Sequence, residues 1–447
     1  MKFPSVFLIL FLTYFPSSLS ARDFNILDYG AKSDTTVLST KAVQQAIDDC
    51  SAAGGGRVIV PIGNYKIGTI VLKSDVNFHL EWGATLFGST NLEDYIPMKS
   101  DYVSLRTQTT TIQLIYADRV SNVMIDGMGT IDGRGRSFPK LSWNDEGITR
   151  PHLIRFIQSR NIVVRDVTLR NSGCWMQHYL ACDMLRIEDI KVFNRNNYNN
   201  DALDIDGCHD VIVTGMIADS DDDAITLKST SPRLCENVRI ANCVVSSHCN
   251  AIKLGTETNG GFKNISIGGI VVKPSQDQKE KFFGQWRGSS VISLEITDGG
   301  IMENVAVHDI VAEGTEAPIF VYLGNRARPY KEGTVVSNIG AIRGIRISGI
   351  TVKNAGSTGC SIIGLPGHPI ENVLISDVSI HHDGGVEKAP ANVADDKEKE
   401  YPEATMFGTL PAKGFFVRHA RNVVIEKLNI KTDKEDCRPM LVEQDVE

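Results

Sequence analysis

A nine-residue unit that recurs along the chain constrains the fold more than any other feature of the sequence. Each copy reads Asn, apolar, any, apolar, any, any, apolar, any, apolar, as in NIVVRDVTL from Asn161 and NVRIANCVV from Asn237. Alternation within each half is the periodicity of a β-strand, and the two-residue slip between the halves is a corner. Counting four weaker copies, the unit begins ten times, at Asn122, Asn161, Met184, Asp210, Asn237, Asn264, Asn304, Gly344, Asn372 and Asn422.

The spacing of the copies indicates the architecture. Successive copies start 23 to 50 residues apart, and five of the nine spacings lie between 23 and 28 residues. A period in the twenties built from short strands is typical of a solenoid. No unit contains a segment with helical periodicity, so the sequence predicts an all-β fold, a right-handed parallel β-helix. The longer spacings then correspond to one coil with a loop, or to two coils.

One amphipathic helix is predicted ahead of the repeat, in LSTKAVQQAIDDCSAAGGG, with Ser39 or Thr40 as its N-cap. This helix is expected to cover the open end of the solenoid, where strand edges are otherwise exposed. Near the other end, the acidic stretch at 387–403 is predicted to form a surface loop. The apolar face of the helix carries Ala42, Val43, Ala46, Ile47 and Cys50.

The first 21 residues have the pattern of a secretory signal peptide. One Lys precedes an apolar run at residues 6–15, which is too short to span a bilayer, and small residues follow it. We therefore expect a signal peptide at 1–21 and a single β-helix domain at 22–447, secreted to the extracellular space or the cell wall. We expect no membrane among its partners, because no later segment reaches spanning length, and no nucleic acid, because the net charge is −8 without a basic tract. We also expect a monomer.

All nine cysteines lie in the predicted mature part, and their odd number leaves at least one thiol unpaired. An oxidising compartment permits disulfides. None of the cysteines has the CxxC spacing of a zinc site. Cys243 occupies an inward position of the repeat, so we expect several cysteines to be small core residues.

Three segments with a shared pattern carry the candidate chemistry: DALDI from Asp201, DAITL from Asp223 and NAIKL from Asn250. They start 22 and 27 residues apart, one coil each, so their first residues are expected to stack about 4.8 Å apart along the axis. Asp222 stands beside this column. Like charges at such distances repel each other and raise at least one pKa. The arrangement adds nothing to stability, which indicates a functional role.

Glycoside hydrolysis is the chemistry that such a cluster serves best. One carboxylic acid protonates the leaving oxygen, while other carboxylates orient and deprotonate a water molecule. A neighbouring carboxylate keeps the acid protonated near its working pH. The alternatives are a solvated acidic face, which the apolar setting of these carboxylates disfavours, and a calcium site.

Several segments resemble glycoside hydrolase family 28, the polygalacturonases and their relatives. They are FNILDYGAKSDTT, GGGRVIVPIGNY, RPHLIRF, LRNSGCWMQH and the acidic pair Asp222 and Asp223. The resemblance covers nearly the whole predicted mature chain. It implies a right-handed parallel β-helix and an inverting hydrolase of pectin that needs no metal or other cofactor. By this resemblance Asp222 is the general acid, while Asp201 and Asp223 hold the attacking water.

The chain departs from the family pattern at two motifs, which makes it a divergent member. The family's Gly-His-Gly falls on Cys249, Asn250 and Ala251, so that Asn250 replaces the usual His. The family's Arg-Ile-Lys, which grips the carboxylate of galacturonate, falls on Ser293, Leu294 and Glu295, so that both basic residues are missing and an acidic one is present.

The remaining substrate-binding candidates rest on the family pattern and on the coil spacing. His178 lies about one coil before Asp201, where the family pattern has a His. Lys228 follows the DAITL segment and matches a Lys in many relatives; it either contacts the substrate or only neutralises Asp222. Tyr322 is expected to border the sugar, whereas Arg326 and Arg328 are interpreted as solvated or structural. The full set of predicted substrate-binding residues is His178, Asn250, Lys253, Lys228 and Tyr322.

Lys253 is the candidate replacement for the missing cations. Its spacing from Ser293 equals that between Asn250 and Ser290, 40 residues, so each pair is expected to stack. If Lys253 is free, it holds a uronate one subsite away from the family position. If Glu295 neutralises it, the site prefers a neutral sugar such as rhamnose or galactose, or a masked uronate. The sequence favours the second outcome, because a buried cation close to Glu295 should pair.

The sequence thus predicts a secreted hydrolase of pectic polysaccharide. Two alternatives stay open. A pectate-lyase-like enzyme would use the acids to bind calcium and a basic residue to abstract a proton. A non-catalytic carbohydrate-binding relative is suggested by the missing His and basic pair.

Overall fold

The computed structural model describes residues 22–141, 147–275, 281, 284–390, 393 and 395–447. Its strands form one 30-stranded sheet in which the paired strands run parallel and strands one coil apart are neighbours. The predicted parallel β-helix is therefore confirmed. The predicted signal peptide at 1–21 lies outside the described residues.

The strands vary from two to eighteen residues in length. They are β1 Asp23–Asn25, β2 Gly56–Val60, β3 Gly63–Ile67, β4 Ile70–Val71, β5 Val76–Leu80, β6 Ala84–Gly88, β7 Gln113–Asp118, β8 Ser121–Gly127, β9 Thr130–Asp132, β10 His152–Ile157, β11 Arg160–Arg165, β12 Thr168–Arg170, β13 Gln177–Leu180, β14 Asp183–Glu188, β15 Lys191–Asn194, β16 Asp204–Asp206, β17 His209–Thr214, β18 Ile217–Ser220, β19 Ile225–Ser229, β20 Cys235–Ser247, β21 Asn250–Thr258, β22 Gly261–Lys273, β23 Gly288–Ile296, β24 Ile301–Glu313, β25 Thr315–Leu323, β26 Ala341–Ala355, β27 Cys360–Ile363, β28 Ile370–His382, β29 Phe415–Thr432 and β30 Leu441–Val446.

The first residue of each repeat copy turns the chain at a corner of the coil. In all ten copies this residue has a positive φ, between 52° and 67°. Asparagine tolerates this left-handed conformation better than most residues, which explains why it leads seven of the copies. The asparagine side chains also form a ladder: Asn264 donates to Asn237 and accepts from Asn304. The repeat thus fixes both the corner and the stacking of successive coils.

The core runs along the inside of the coil as stacks of identical or similar apolar residues. On the ladder that contains β16, β19, β21 and β23, Ile225, Ile252 and Ile292 are in register and fully buried. The register predicted from the shared x-A-h-x-h pattern is therefore confirmed. It leaves the alternate residues of these strands on the outer face, where the candidate site lies.

Helix α1, Thr40–Ala52, packs against β1, β2, β4 and β5 at the N-terminal end of the solenoid. The predicted cap is not made: the Ser39 hydroxyl accepts from the Lys32 backbone N–H, and Thr40 Oγ1 accepts from the Gly68 N–H. Both hydroxyls instead tie the start of the helix to neighbouring loops. The predicted apolar face of the helix is buried, with Ala42 half-buried at its edge. Three 3₁₀ helices occupy Ile26–Tyr29, Leu92–Asp94 and Gly135–Ser137.

All nine cysteines are free thiols in the described structure, and eight of them are buried. The expectation that several serve as core residues is confirmed, since Cys50, Cys182, Cys208, Cys235 and Cys243 all belong to the main apolar cluster. Within the described ranges, no helix has the length and apolar character needed to cross a membrane.

Candidate active site

The predicted polar column occupies the outer face where β16, β19, β21 and β23 lie side by side. The Ala202 N–H donates to the Asp223 carbonyl, and the Ala224 N–H donates to the Asn250 carbonyl, at 2.9 and 3.0 Å. Asp201 and Asp223 directly precede these two alanines, and Asn250 begins the third segment. Successive members of the column, Asp201, Asp223 and Asn250, are therefore one coil apart. All three side chains are buried, and the region around them is called the cleft.

Asn250 binds the carboxylate of Asp223 directly. Its backbone N–H and its side-chain amide both donate to Asp223 Oδ1, at 3.0 and 2.8 Å. Ser290, one coil further on, donates to Asn250 Oδ1 at 2.6 Å and so fixes the amide orientation. Hydrogen bonds to the charged form of a carboxylate stabilise that form. Asn250 thus supports an ionised Asp223.

Asp222 and Asp223 are neighbours whose pKa values move in opposite directions. Burial and the charge of Asp223 raise the pKa of Asp222 to about 7. Burial also opposes ionisation of Asp223, but Lys253, Lys228 and the Asn250 hydrogen bond prevail and lower the pKa of Asp223. A pair of carboxyl groups with separated pKa values supplies one proton donor and one proton acceptor at the same pH.

Asp201 differs from Asp223 although it occupies the same column. Burial, together with the charges of Asp204 and Asp222, raises the pKa of Asp201 well above its usual range. Its Oδ1 atom is buried and has no hydrogen-bond partner among the described residues. Asp201 therefore offers a carboxyl group of raised pKa with an unused oxygen beside the pair.

Asp204 is a further buried carboxyl group, which sequence reasoning missed. Neither of its carboxyl oxygens has a hydrogen-bond partner among the described residues, although Lys228 Nζ lies 3.5 Å from Oδ1. Asp204 is in register with Thr226 and, one coil later, with Lys253. Asp204 holds the outward position of the DALDI segment, as Lys253 does in NAIKL. This shared column was the sequence signal that could have identified Asp204.

Lys228 and His178 line the same side of the cleft. Lys228 Nζ lies 3.3 Å from Glu257 Oε2 and 4.6 Å from the ring centre of Trp175. His178 is fully buried; its Nε2 lies 3.0 Å from Asp206 Oδ2, and its Nδ1 has no hydrogen-bond partner among the described residues. Burial lowers the pKa of His178 to about 4, so its ring is neutral near pH 6.

Lys253 lies beside Asp223, one coil further along the solenoid. The predicted register is confirmed, since Asn250 pairs with Ser290 and Lys253 with Ser293. The ion-pair partner differs from the expected one: Lys253 Nζ lies 3.2 Å from Asp223 Oδ2 and 3.3 Å from the Tyr401 hydroxyl. Among the described residues Glu295 forms no ion pair with it, because its Oε1 accepts from Ser293 at 2.6 Å instead.

Two buried glutamates complete this side of the cleft. Burial raises the pKa values of Glu295 and Glu403 to about 7. Glu403 and Tyr401 belong to the acidic segment that was predicted to be a surface loop, and this segment folds back over the outer face. Nothing periodic in the sequence placed these two residues near Lys253, which is 148 residues away from Tyr401 along the chain.

Tyr322 is fully buried and does not contact the carboxylate column. Its hydroxyl lies 3.0 and 2.9 Å from the carbonyl oxygens of Asp396 and Lys397, and its ring stacks on Phe320. It is in register with Glu295, one coil away. Tyr322 thus anchors the segment that carries Tyr401 and Glu403.

One group of side chains has the spacing of metal ligands among the described residues. Ligand atoms of Asp222, Asp223 and Cys249 all lie within 4.8 Å of one another. Burial raises the pKa of Cys249 well above its usual range, so its thiol is protonated. Calcium prefers six to eight oxygen ligands, and a neutral thiol binds it poorly. This donor set does not suit the calcium that a lyase would use.

A parallel β-helix with clustered carboxyl groups of separated pKa on its outer face defines a carbohydrate-cleaving class, the β-helical glycoside hydrolases. Residues 50–399 match the description of glycosyl hydrolases family 28. The chain belongs to this family and is a glycoside hydrolase.

Known proteins similar to the chain come from plants, fungi and bacteria. A probable polygalacturonase of Vitis vinifera is 25% identical over 441 residues, which cover 94% of this chain and 87% of that protein. A probable rhamnogalacturonase B of Aspergillus niger is 23% identical, covering 77% of this chain and 53% of that protein. The exopolygalacturonase structure from Thermotoga maritima superposes with a TM-score of 0.70 at 20% identity, covering 92% of each chain, and demonstrates the shared fold.

Proposed function

We propose that this glycoside hydrolase cleaves glycosidic bonds of pectic polysaccharide by an inverting mechanism, with Asp222 as general acid and Asp223 as general base. The observation that carries the proposal is the opposed pKa shift of these two adjacent carboxyl groups. Pectic substrates are supported by the names of the relatives, which include a probable polygalacturonase and a probable rhamnogalacturonase.

The proposed reaction needs one proton donor and one proton acceptor. Protonated Asp222 gives its proton to the glycosidic oxygen as the bond to the anomeric carbon breaks. Ionised Asp223 takes a proton from a water molecule, whose oxygen bonds to the anomeric carbon from the opposite face. The products are a reducing sugar of inverted configuration and a free hydroxyl on the leaving part. The two carboxyl groups have then exchanged protonation states, and solvent restores them.

The other candidates are assigned to orientation and binding. The unused Oδ1 of Asp201 supports a role in holding the attacking water, while the raised pKa of Asp201 makes Asp223 the better base. Asn250 keeps Asp223 ionised, a task that does not require the His found in the family pattern. His178 and Lys228 are proposed to bind sugar hydroxyls on the side of Asp204, and Tyr322 acts through the segment that it anchors.

We further propose that the protein is secreted by means of the signal peptide at 1–21 and acts as a monomer outside the cell or in the cell wall. Among the described residues, only Asp222, Asp223 and Cys249 have the spacing of metal ligands. The protonated thiol of Cys249 in this group disfavours the pectate-lyase-like alternative, which needs calcium. That alternative makes a distinct prediction, since chelation would abolish activity and the products would be unsaturated. A hydrolase retains its activity in excess chelator and releases saturated reducing ends.

The decisive experiment compares Asp222→Asn with a matched control, Asp210→Asn. Asp222→Asn keeps the size of the side chain but removes the proton donor, so hydrolysis of pectic oligomers should fall at least about 100-fold with no loss of melting temperature. Asp210 is exposed, and an asparagine there still accepts the hydrogen bond from Asn237. Wild-type turnover in Asp222→Asn would end the general-acid assignment, and a retained anomeric configuration by NMR would end the inverting mechanism. Saccharide binding without release of reducing ends would instead identify a non-catalytic carbohydrate-binding protein.

A further inference from the structure

Two arginines that follow β25 have opposite environments. Arg328 is engaged: its Nη2 lies 2.8 Å from Asp298 Oδ2, and its Nη1 lies 3.5 Å from Glu257 Oε1. Arg326 has a buried Nη1 without a hydrogen-bond partner among the described residues. Its guanidinium lies over the ring of Tyr401, with 5.1 Å from Cζ to the ring centre. Arg328 is therefore structural, whereas Arg326 keeps an unused donor.

Two buried glutamates near Lys253, whose Nζ lies 3.3 Å from the Tyr401 hydroxyl, also carry unused oxygens. Glu295 Oε2 and Glu403 Oε2 are buried and have no hydrogen-bond partner among the described residues. Lys253 approaches the same ring, with Nζ 5.4 Å from its centre, but Asp223 already neutralises this cation. Buried polar atoms without partners are unfavourable unless a ligand binds them. Unused donor and acceptor atoms in this region therefore indicate a ligand with both a negative charge and hydroxyl groups.

We propose that Arg326 is the specificity-determining cation of a sugar subsite bounded by Tyr401, Glu295 and Glu403, and that it binds the carboxylate of a hexuronate residue of the substrate. The two glutamates bind the hydroxyl groups of that sugar. A guanidinium forms paired, charge-assisted hydrogen bonds with a carboxylate, whereas a neutral sugar offers Arg326 Nη1 no such charged acceptor. The ring of Tyr401, a residue that is 45% exposed, supplies the platform for the sugar ring.

This subsite adjoins the reacting bond, because Lys253 contacts both Asp223 and Tyr401. The inference rests on the proposed function, and it names the sugar that the cleft accepts next to the catalytic pair. It also reverses the preference drawn from the sequence. The cation is not on the column of Ser293 but on the loop after the following strand, where it reaches the subsite from the side.

The test measures binding separately from cleavage. Trigalacturonate and its methyl ester are titrated calorimetrically against Asp222→Asn and against the same variant with Arg326→Met added. Loss of the charge-assisted hydrogen bonds should weaken binding of the free acid about 10- to 100-fold and leave binding of the ester nearly unchanged. Arg170→Met, at an exposed position on β12, is the control for the change in net charge and should have no effect.

Equal losses for the acid and the ester would mean that Arg326 only supports the ring of Tyr401, and would overturn the assignment. So would unchanged affinity for the acid, or tighter binding of a rhamnose-terminated oligomer by the parent variant. If Arg326→Met does not fold, Arg326→Lys serves the same comparison, since it keeps the charge but loses the paired geometry and should reduce the preference for the acid. Failure of the proposed function is seen separately, as a wild-type protein that releases no reducing ends.

Discussion

Lys253 and Asp223 form a buried ion pair in the cleft, with 3.2 Å between Nζ and Oδ2 and at most 4% of either side chain exposed. The pair separates the protonation states of two adjacent carboxyl groups. Lys253 is one of the charges that lower the pKa of Asp223, while Asp222 beside it keeps a raised pKa. A cation placed on the base rather than on the substrate is therefore central to the proposed chemistry.

Replacement of Lys253 by methionine should lower kcat/KM about 100-fold at pH 5. Without the cation, the pKa values of both Asp223 and Asp222 rise, because Lys253 lowers each of them. Both limbs of the pH–rate profile should therefore move to higher pH. Lys253→Arg, which keeps the charge, should hold the limbs in place. A lower plateau without any displacement of the limbs would show that Lys253 has only a structural role.

The wild-type enzyme should be most active below neutral pH. In the proposed mechanism, activity requires Asp222 with its proton and Asp223 without one. As pH rises through about 7, Asp222 loses its proton and kcat/KM should fall. Activity should persist far into the acidic range, since the pKa of Asp223 is lowered. Initial rates from pH 3 to 9 provide the check, and a rate that increases through pH 7 would contradict the assignment of Asp222 as the acid.

Folding stability should also decrease as pH rises. A carboxyl group whose pKa is higher in the folded than in the unfolded state contributes stability that is complete below the unfolded pKa and is lost through the folded pKa. For Glu295 and Glu403 this window runs from their ordinary value of 4.5 to about 7. Melting temperatures should therefore be higher at pH 4.5 than at pH 8.

The matched variant for this prediction is Glu295→Gln, which mimics the protonated side chain. It should raise the free energy of unfolding at pH 8 by on the order of 1–3 kcal/mol and leave it nearly unchanged at pH 4.5. Denaturant unfolding at the two pH values measures both. A stabilisation that is equal at pH 4.5 and pH 8 would show that the pKa of Glu295 is not raised in the folded protein.

Much of the fold follows from the sequence because one physical constraint recurs in every coil. The left-handed corner favours asparagine, and the alternation beyond it separates core from outer face, so the register of Asn250 with Ser290 was predictable. The loops over the outer face carry no such period. Hence Glu403 and Tyr401 were missed, and Arg326 was grouped with Arg328 although the two have different partners.

The pairing of Lys253 shows a second limit of sequence reasoning. Glu295 and Asp223 both lie one coil from Lys253, and the pairing with Glu295 that the sequence favoured is wrong, because Lys253 pairs with Asp223. The choice depends on side-chain hydrogen bonds: the Ser293 hydroxyl donates to Glu295, while the Asn250 amide donates to Asp223 and orients it. Such contacts depend on rotamers, and strand periodicity does not determine them.

The last prediction concerns Tyr322, which links the sheet to the segment over the cleft. Tyr322→Phe removes the hydroxyl that lies within hydrogen-bond distance of the Asp396 and Lys397 carbonyls, so the segment with Tyr401 and Glu403 should open more often. We expect a loss of stability of about 1 kcal/mol, a several-fold higher KM and a nearly unchanged kcat.

Tyr179→Phe is the control, because Tyr179 is equally buried and its hydroxyl donates to Gln177 in the core, away from that segment. It should reduce stability to a similar extent without raising KM. Hydrogen exchange of residues 395–407 should accelerate in Tyr322→Phe and not in Tyr179→Phe. Equal KM values in the two variants, with unchanged exchange, would show that the segment holds its place over the cleft without Tyr322.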